Sequence, residues 1–409
     1  MSDKQTFVIV GAGLAGAKAA QTLREEGFDG RVLLLGDEPA RPYDHVPLSK
    51  QYLHFEPGFH KLYVHDEGYY AAHGIDLRMN TRVSDLDTSA RRVQLDSGEQ
   101  IDYDALLLTT GAEPRRLRVP GSELLGIHYL RTLADAEKLR DALKSAGRVV
   151  VIGAGWIGCE VASSARGLGL DVTLVGRSAL PLERTLGQQM ATFYRDLHAE
   201  HGVDLRMGVD VIELRGAGTV EAVVLSDGQV LPADLVVVGI GALPRTALAE
   251  RAELAVHNGI VTDERMATSN HGVFAAGDVA NAWHPALGRR LRLEHWSAAL
   301  NQGPVAARNM MGLATTYSRV PFFFSDQYDV WMEYSGDATD ADRFVVRRLS
   351  GEREFIAFWL RDQRVVAGMN VNIRDIAPAI AALVASKAAV DPAALTDPDV
   401  EVRSLVVPS

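Results

Sequence analysis

Thr6 to Glu38 reads TFVIVGAGLAGAKAAQTLREEGFDGRVLLLGDE, and this stretch decides the fold. An apolar strand runs into Gly11-x-Gly13-x-x-Gly16, an amphipathic helix follows, and a second apolar strand leads to Asp37. The glycines have separate duties: one makes the tight turn, one lets backbone approach a pyrophosphate, and one lets helix pack on strand. The phosphates then rest on the N-terminus of the helix, where Leu14 begins the first turn. Asp37, 21 residues beyond Gly16, stands where a carboxylate hydrogen-bonds a ribose hydroxyl. A glycine turn alone occurs by chance. Both strands and the acid together point to a dinucleotide-binding βαβ unit.

The pattern returns from Arg148 to Arg177 as RVVVIGAGWIGCEVASSARGLGLDVTLVGR, with Gly153, Gly155 and Gly158 in the same strand-turn-helix context. Two such units about 140 residues apart imply two dinucleotides side by side, a flavin nucleotide and a nicotinamide nucleotide. Trp156 and Ile157, inside the second motif, are expected at the nicotinamide nucleotide. Tyr103 to Arg115 (YDALLLTTGAEPR) and Ala233 to Arg245 (ADLVVVGIGALPR) each run a strand into a glycine turn, at Gly111 and at Gly241, and each closes one unit. Gly241 is thereby a further nucleotide-site candidate. Gly272 to Ala280 (GVFAAGDVA) gives another buried strand ending at Gly277-Asp278, where a helix is expected to begin. Asp278 suits a carboxylate that accepts bonds from ribityl hydroxyls, or a helix N-cap.

Composition bounds the alternatives. The 409 residues are too many for one ordinary core, and 47% hydrophobic with 23% charged residues is a globular α/β composition. A formal charge of −11 argues against a nucleic-acid surface, which needs positive charge to displace counterions. The longest late apolar stretch, Ile376 to Ala385, is about half of the roughly 20 residues that cross a bilayer and contains Pro378. With a strand starting near Thr6 and no room before it for a targeting peptide, a cytoplasmic protein is expected. The single cysteine, Cys159, excludes an internal disulfide, a thiolate zinc site and a dithiol relay.

The order of these segments resembles the two-dinucleotide flavoprotein reductases of the glutathione reductase fold, over nearly the whole chain. Arg41 to Leu53 (RPYDHVPLSKQYL), Tyr129 to Glu137 (YLRTLADAE) and Phe324 to Tyr328 (FSDQY) resemble, more narrowly, the oxygenase-coupled ferredoxin reductases. The resemblance implies two Rossmann-like dinucleotide-binding domains and a smaller α+β C-terminal domain. The FAD-binding domain would span 1–112 and 245–320, interrupted by an NAD(P)H-binding domain over 113–244, with the C-terminal domain over 321–409. It further implies FAD contacts from Gly11, Ala15, Gly16, Asp37, Lys50, Val83, Arg131, Asp278 and Trp296. Disulfide reductases of this fold carry redox cysteines in the segment that here reads HVPLSKQ. Without a thiol, electrons must leave the flavin directly, and a one-electron carrier, a small iron-sulfur ferredoxin serving a cytochrome P450 or Rieske-type oxygenase, is the expected acceptor. Rubredoxin is a second carrier of the same class. An apoptosis-inducing-factor-like binding protein would carry a targeting segment and a long C-terminal insertion, neither of which is evident.

Lys50 would sit beside the flavin N5 edge, where a cation stabilises the charge of the reduced ring. Glu160, two residues past Gly158, has three readings: a partner of Lys50, a partner of the nicotinamide amide, or a carboxylate favoured by the helix dipole. Lys50 and Glu160 are the catalytic candidates. Glu294-His295-Trp296 precedes a helix expected over Ser297 to Met311, whose N-terminus would face the flavin pyrimidine; Trp296 is either a cofactor contact or core. His45, His54, His60 and His65 fit no metal-binding spacing and read as loop surface, and no metal is expected. Arg289, Arg290 and Arg292 form a basic run that either docks an acidic ferredoxin or is a solvated loop. In the second unit the strand Val172–Val175 ends in Gly176-Arg177, where the family usually places an acid that favours NADH. The family pattern points to NADH, whereas Arg177 admits the 2′-phosphate of NADPH. After Pro321 short β-rich runs and a helical Ile373 to Val390 form the last domain, in which Phe322, Phe323 and Phe324 replace tryptophans common near the flavin.

Overall fold

The structure, a computed structural model, describes residues 4–54 and 62–406. Strand Thr6–Val10 is central in a five-stranded sheet, in the order Val273–Ala275, Ala105–Leu108, Thr6–Val10, Arg31–Leu35, Ile75–Arg78. All four pairings are parallel, beginning Thr6↔Arg31 and Phe7↔Ala105. The second unit repeats this plan: Arg148–Ile152 lies between Asp171–Gly176 and Leu235–Val238, with Asp204–Met207 and Ile127–Tyr129 at the edges. Strands in such sheets are covered on both faces, so they read as unbroken apolar runs rather than alternating ones. Each unit also carries a three-stranded antiparallel sheet, over Val83–Asp87, Arg92–Leu95 and Gln100–Asp102 in the first and Val211–Arg215, Ala222–Leu225 and Val230–Pro232 in the second.

The chain leaves the first unit through Ala112–Pro114 and returns through Ala242–Pro244, and these two segments pair antiparallel. Backbone bonds from Arg115 N–H to Gly241 O and from Arg245 N–H to Gly111 O, both 2.9 Å, extend this ribbon at its two ends. The C-terminal unit is a five-stranded antiparallel sheet ordered Phe322–Gln327, Val330–Gly336, Arg364–Val371, Phe355–Arg361, Arg343–Arg348. Helix Ala377–Ser386 covers one face through Ile380 and Leu383 and stops where Lys387 turns left-handed (φ 53°), shorter than the expected 373–390. Leu53, Cys159, Tyr194, Phe355 and Met369 share one apolar core, so the C-terminal sheet packs directly on the second unit. Among the described residues no helix is long and apolar enough to cross a membrane. The helix expected after Gly277-Asp278 is a single 3-10 turn, Gly277–Val279, that feeds strand Ala280–His284; the following residues Ala280, Asn281 and Ala282 are drawn into a sheet with Ile260–Thr262.

The glycine motifs show why these positions exclude side chains. A Cβ on Gly11 (φ 113°) would lie 2.2 Å from Thr109 O, and one on Gly16 would lie 2.1 Å from Gly11 O. In the second motif the same clashes occur at Gly153, 2.2 Å from Gly239 O, and at Gly158, 1.8 Å from Gly153 O. A Cβ on Gly13 or Gly155 would meet no described atom within 4 Å. The outer glycines are thus fixed by packing, and the middle ones leave open space in front of a helix start. Gly158→Ala is therefore expected to destabilise the fold by about 3 kcal/mol or more, because a backbone oxygen cannot step aside. Gly155→Ala is expected to stay within about 1 kcal/mol of wild type, since no packing contact is disturbed. Urea denaturation of the two variants measures the difference, and equal losses would contradict this assignment of duties.

Candidate functional site

One cavity is lined by all three units. The first contributes Gly11, Gly13, Leu14 and Ala15, then Asp37, Glu38, Lys50, Asp278 and Trp296; the second contributes Arg131, Trp156, Ile157 and Glu160; the third contributes Phe323 and Phe324. Helix Leu14–Glu25 begins at Gly13 without a side-chain cap among the described residues. Its first N–H groups, with the positive end of the helix dipole behind them, face the space that Gly13 leaves open, a cradle suited to a diphosphate.

At the end of strand Arg31–Leu35 two adjacent carboxylates line the cavity. Asp37 is 3.3 Å from Arg82 and 3.6 Å from Arg245. Glu38 accepts a 2.6 Å bond from the Tyr43 hydroxyl, which itself accepts from Leu133 N–H at 2.8 Å. Burial raises the Glu38 carboxyl above the usual range, and the Tyr43 bond partly offsets this. Sequence reading selected only Asp37; nothing but adjacency marked Glu38. Val83 does not line this cavity but an adjoining groove shared with Asp37, Arg82 and Arg245. Further along, Arg131 and Asp278 form a 2.7 Å ion pair, and Gly277 N–H donates to Gln302 Oε1 at 2.9 Å.

Lys50 follows the 3-10 turn Val46–Ser49, and its Nζ lies 2.8 Å from Glu160 Oε2, with the two side chains 8% and 5% exposed. Glu160 is held there by the first two turns of helix Trp156–Gly167, and it also accepts bonds from Ser49 Oγ (2.5 Å, to Oε2) and Ser325 Oγ (2.7 Å, to Oε1). The structure joins Glu160 to Lys50, the first of its three readings. Ser49 and Ser325, one from each flanking unit, lie in the segments Arg41 to Leu53 and Phe324 to Tyr328, whose resemblance singled out neither serine. Asp326, beside this pair, has its carboxyl raised by burial, an effect that Lys50 opposes and Glu160 reinforces.

Helix Trp296–Met310 points its N-terminus into the cavity, and Gly303 lets it cross Leu14–Glu25 closely, since a Cβ there would lie 2.2 Å from Ala15 O. Trp296 stands edge-on to Phe324 (6.1 Å) and lies beside the Asp44 carboxylate, which accepts from Val46 N–H. It is a cavity-lining side chain rather than core. Phe323 packs on Trp156, Tyr334 and His295 at 5.1, 4.9 and 4.7 Å. His295 and His45 both line the cavity, and burial depresses each imidazole to about 4. His45 is thus a site residue, contrary to the loop-surface expectation; His65 stacks on Tyr69 at 3.8 Å, and His60 lies outside the described residues. Among the described residues no cluster can hold a metal. His295 Nδ1 is buried without a hydrogen-bond partner among the described residues.

The second motif duplicates the first in detail. A Cβ on Gly36 would meet Ala12 Cβ at 2.7 Å and Met79 Cε at 3.1 Å, and one on Gly176 would meet Ala154 Cβ at 2.9 Å and Met207 Cε at 3.1 Å. Gly176 therefore corresponds to Gly36, and Arg177 occupies the position of Asp37. Arg177 is 76% exposed and 3.7 Å from Asp210. Gly153, Gly155 and Gly158 lie behind the main cavity, which only Trp156, Ile157 and Glu160 of this helix reach; Gly241 (φ 105°) sits in the crossover ribbon beside Arg115. Burial pushes the Cys159 thiol up, away from thiolate chemistry. The basic run is not a free patch: Arg289 pairs with Asp337, Arg290 donates to Thr262 O and Asn281 O, and Arg292 pairs with Glu294. Strand Arg289–Leu291 and its neighbours give each of these guanidiniums a partner within the chain, while Arg290 stays exposed.

His295 gives this site a pH signature. Its pKa is lowered from 6.5 to about 4, so its contribution to stability is complete above 6.5 and is lost as pH falls through that window, where the unfolded chain binds the proton first. His295→Asn should flatten the dependence of unfolding free energy on pH between those limits by about 1.4 kcal/mol per pH unit, read from urea titrations. An unchanged slope would contradict the buried neutral imidazole. Residues 5–303 match the model of the pyridine nucleotide-disulphide oxidoreductase family and residues 322–406 that of the reductase C-terminal family. The chain is 40% identical to the ferredoxin--NAD(+) reductase component of the anthranilate 1,2-dioxygenase system of Burkholderia cepacia, over 98% of this chain and 99% of that one. It is likewise 40% identical to rhodocoxin reductase of Rhodococcus erythropolis, over 90% and 86%. Among solved structures, the covalent putidaredoxin reductase–putidaredoxin complex matches with a TM-score of 0.95 at 37% identity, covering 98% of each chain. With its family models, whole-length relatives and doubled nucleotide cradle in agreement, the chain belongs to the pyridine nucleotide-disulphide oxidoreductase family.

Proposed function

We propose that the protein is an FAD-dependent NAD(P)H:ferredoxin reductase that passes single electrons to a [2Fe-2S] ferredoxin, itself serving a cytochrome P450 or Rieske-type oxygenase in the cytoplasm. The observation that carries this reading is the buried Lys50–Glu160 pair, joined across two dinucleotide units in a chain whose one cysteine is buried and inert. FAD, when bound, supplies the chemistry of accepting hydride from the nicotinamide nucleotide and releasing electrons one at a time. The residues fit that group. The N–H groups following Gly13 face its diphosphate, Asp37 and Glu38 offer acceptors for a ribose diol, and Arg131–Asp278 pairs a cation and a carboxylate that suit the ribityl region. Lys50 places a fixed ammonium at the reacting end, held by Glu160 so that no reorganisation is needed when negative charge develops. Phe323, Phe324 and Trp296 exclude water around it. The domain division at 112/113 and 244/245 is supported by the crossover ribbon, through which the nucleotide units are joined.

For the nicotinamide coenzyme, relatives named for NAD(+) support NADH, while the correspondence of Arg177 with Asp37 supports tolerance of a 2′-phosphate. Stopped-flow reduction by NADH and NADPH, followed by mixing with a [2Fe-2S] ferredoxin, rubredoxin or oxygen, tests both parts. Ferredoxin is expected to accelerate reoxidation; rubredoxin alone doing so would identify a rubredoxin reductase, and no acceleration by either would sink the electron-transfer reading. Arg177→Ala is expected to lower kcat/KM for NADPH about tenfold, the worth of one charge-assisted contact, and leave NADH within about twofold. Equal losses with both coenzymes would remove Arg177 from nucleotide recognition.

A further inference from the structure

Glu160 is the end of a longer hydrogen-bonded chain. His198, on helix Glu183–Glu200 of the second unit, is 0% exposed. Its Nδ1 lies 3.0 Å from the Tyr328 hydroxyl and its Nε2 lies 3.0 Å from Gln327 Oε1. Gln327 Nε2 donates to Ser325 Oγ at 3.2 Å, and Ser325 Oγ donates to Glu160 Oε1 at 2.7 Å. Gln327 and Ser325 are 1% and 2% exposed, two residues apart on strand Phe322–Gln327, so both side chains leave the same face.

The protons in this chain have one consistent arrangement. An ionised carboxylate only accepts, so the single hydroxyl proton of Ser325 goes to Glu160. Ser325 Oγ must then accept from Gln327, which only the amide NH₂ can supply. That turns Gln327 Oε1 toward His198, which must carry its proton on Nε2, leaving Nδ1 to accept from Tyr328. Every donor points toward Glu160. The far end is bolted to the same unit as Glu160: Tyr328, held at φ 56° in the turn to strand Val330–Gly336, stacks on His201 at 3.7 Å, and its N–H donates to Ser163 Oγ at 2.9 Å.

We propose that Ser325, Gln327 and His198 are positioning residues that orient the Glu160 carboxylate and, through it, the Lys50 ammonium at the hydride-transfer end of the cavity. This rests on the reading of Lys50 and Glu160 given above. With Oε1 committed to Ser325, Oε2 is left for Lys50 and Ser49; without it the carboxylate turns about its terminal bond and the ammonium loses its fixed position. Displacements of about 1 Å at a reacting centre can cost up to ~100-fold in rate.

The test uses the FAD-loaded protein, with Ser325→Ala, Gln327→Leu, the conservative Ser325→Thr, and Glu160→Gln as reference. Two readouts are taken: the limiting rate of flavin reduction separated from the coenzyme Kd by stopped flow, and the His198 tautomer from ring-¹⁵N NMR of the wild type, assigned by its loss in His198→Gln. Expected are an Nε2–H tautomer, limiting rates lowered about tenfold in Ser325→Ala and Gln327→Leu with Kd within about twofold, and recovery in Ser325→Thr. Should Gln327→Leu fail to fold, Ser325→Ala decides alone. Unchanged limiting rates in a background where Glu160→Gln is slow, or an Nδ1–H tautomer, would overturn the positioning role while leaving the Lys50–Glu160 reading intact. A Glu160→Gln enzyme as fast as wild type would overturn that reading, and the positioning role with it.

Discussion

The rest of the site is arranged around the Lys50–Glu160 ion pair. Removing two charges from water costs several kcal/mol per ion, and only close geometry with further hydrogen bonds offsets it. Those bonds come from Ser49 and Ser325, so three chain segments, one from each unit, must meet at the same carboxylate. The first unit delivers Lys50 on a 3-10 turn, the second delivers Glu160 on the helix of its glycine motif, and the third delivers Ser325 on an edge strand. None of these units completes the site alone. The shared apolar core of Leu53, Cys159 and Met369 supplies the rigidity that keeps the segments in register.

The doubling of the nucleotide cradle imposes the second constraint. Outer glycines are dictated by backbone oxygens 1.8–2.2 Å from any added Cβ, so they belong to the fold. Middle glycines face open space, so packing does not dictate them. The same correspondence extends to Gly36 and Gly176, with Asp37 and Arg177 next in line, so one architecture carries a carboxylate at this position in one unit and a guanidinium in the other.

Much of this was legible in the sequence because the motifs are local. The two βαβ units and the lack of a thiol relay follow from the order of short segments and one cysteine. What could not be read is what long-range contact decides. Glu38 rather than Asp37 alone faces the cavity because Tyr43 reaches across to it; Ser325 meets Glu160 across 165 positions of sequence; and Val83 falls in an adjoining groove. The arginine run at 289–292 reads as a patch in one dimension, but strand pairing sends each guanidinium to its own partner. His45 reads as loop surface because its spacing fits no metal motif, yet it lines the cavity together with Arg131 and Asp278.

A double-mutant cycle on Lys50 and Glu160 tests the central claim most directly, with Lys50→Met, Glu160→Gln and the pair compared by urea denaturation of the FAD-loaded protein. Either single change leaves an uncompensated buried group and is expected to cost about 3–5 kcal/mol, with the double variant recovering about 2 kcal/mol or more of the summed loss. Strictly additive losses would contradict an account in which this pair holds the three units to one site.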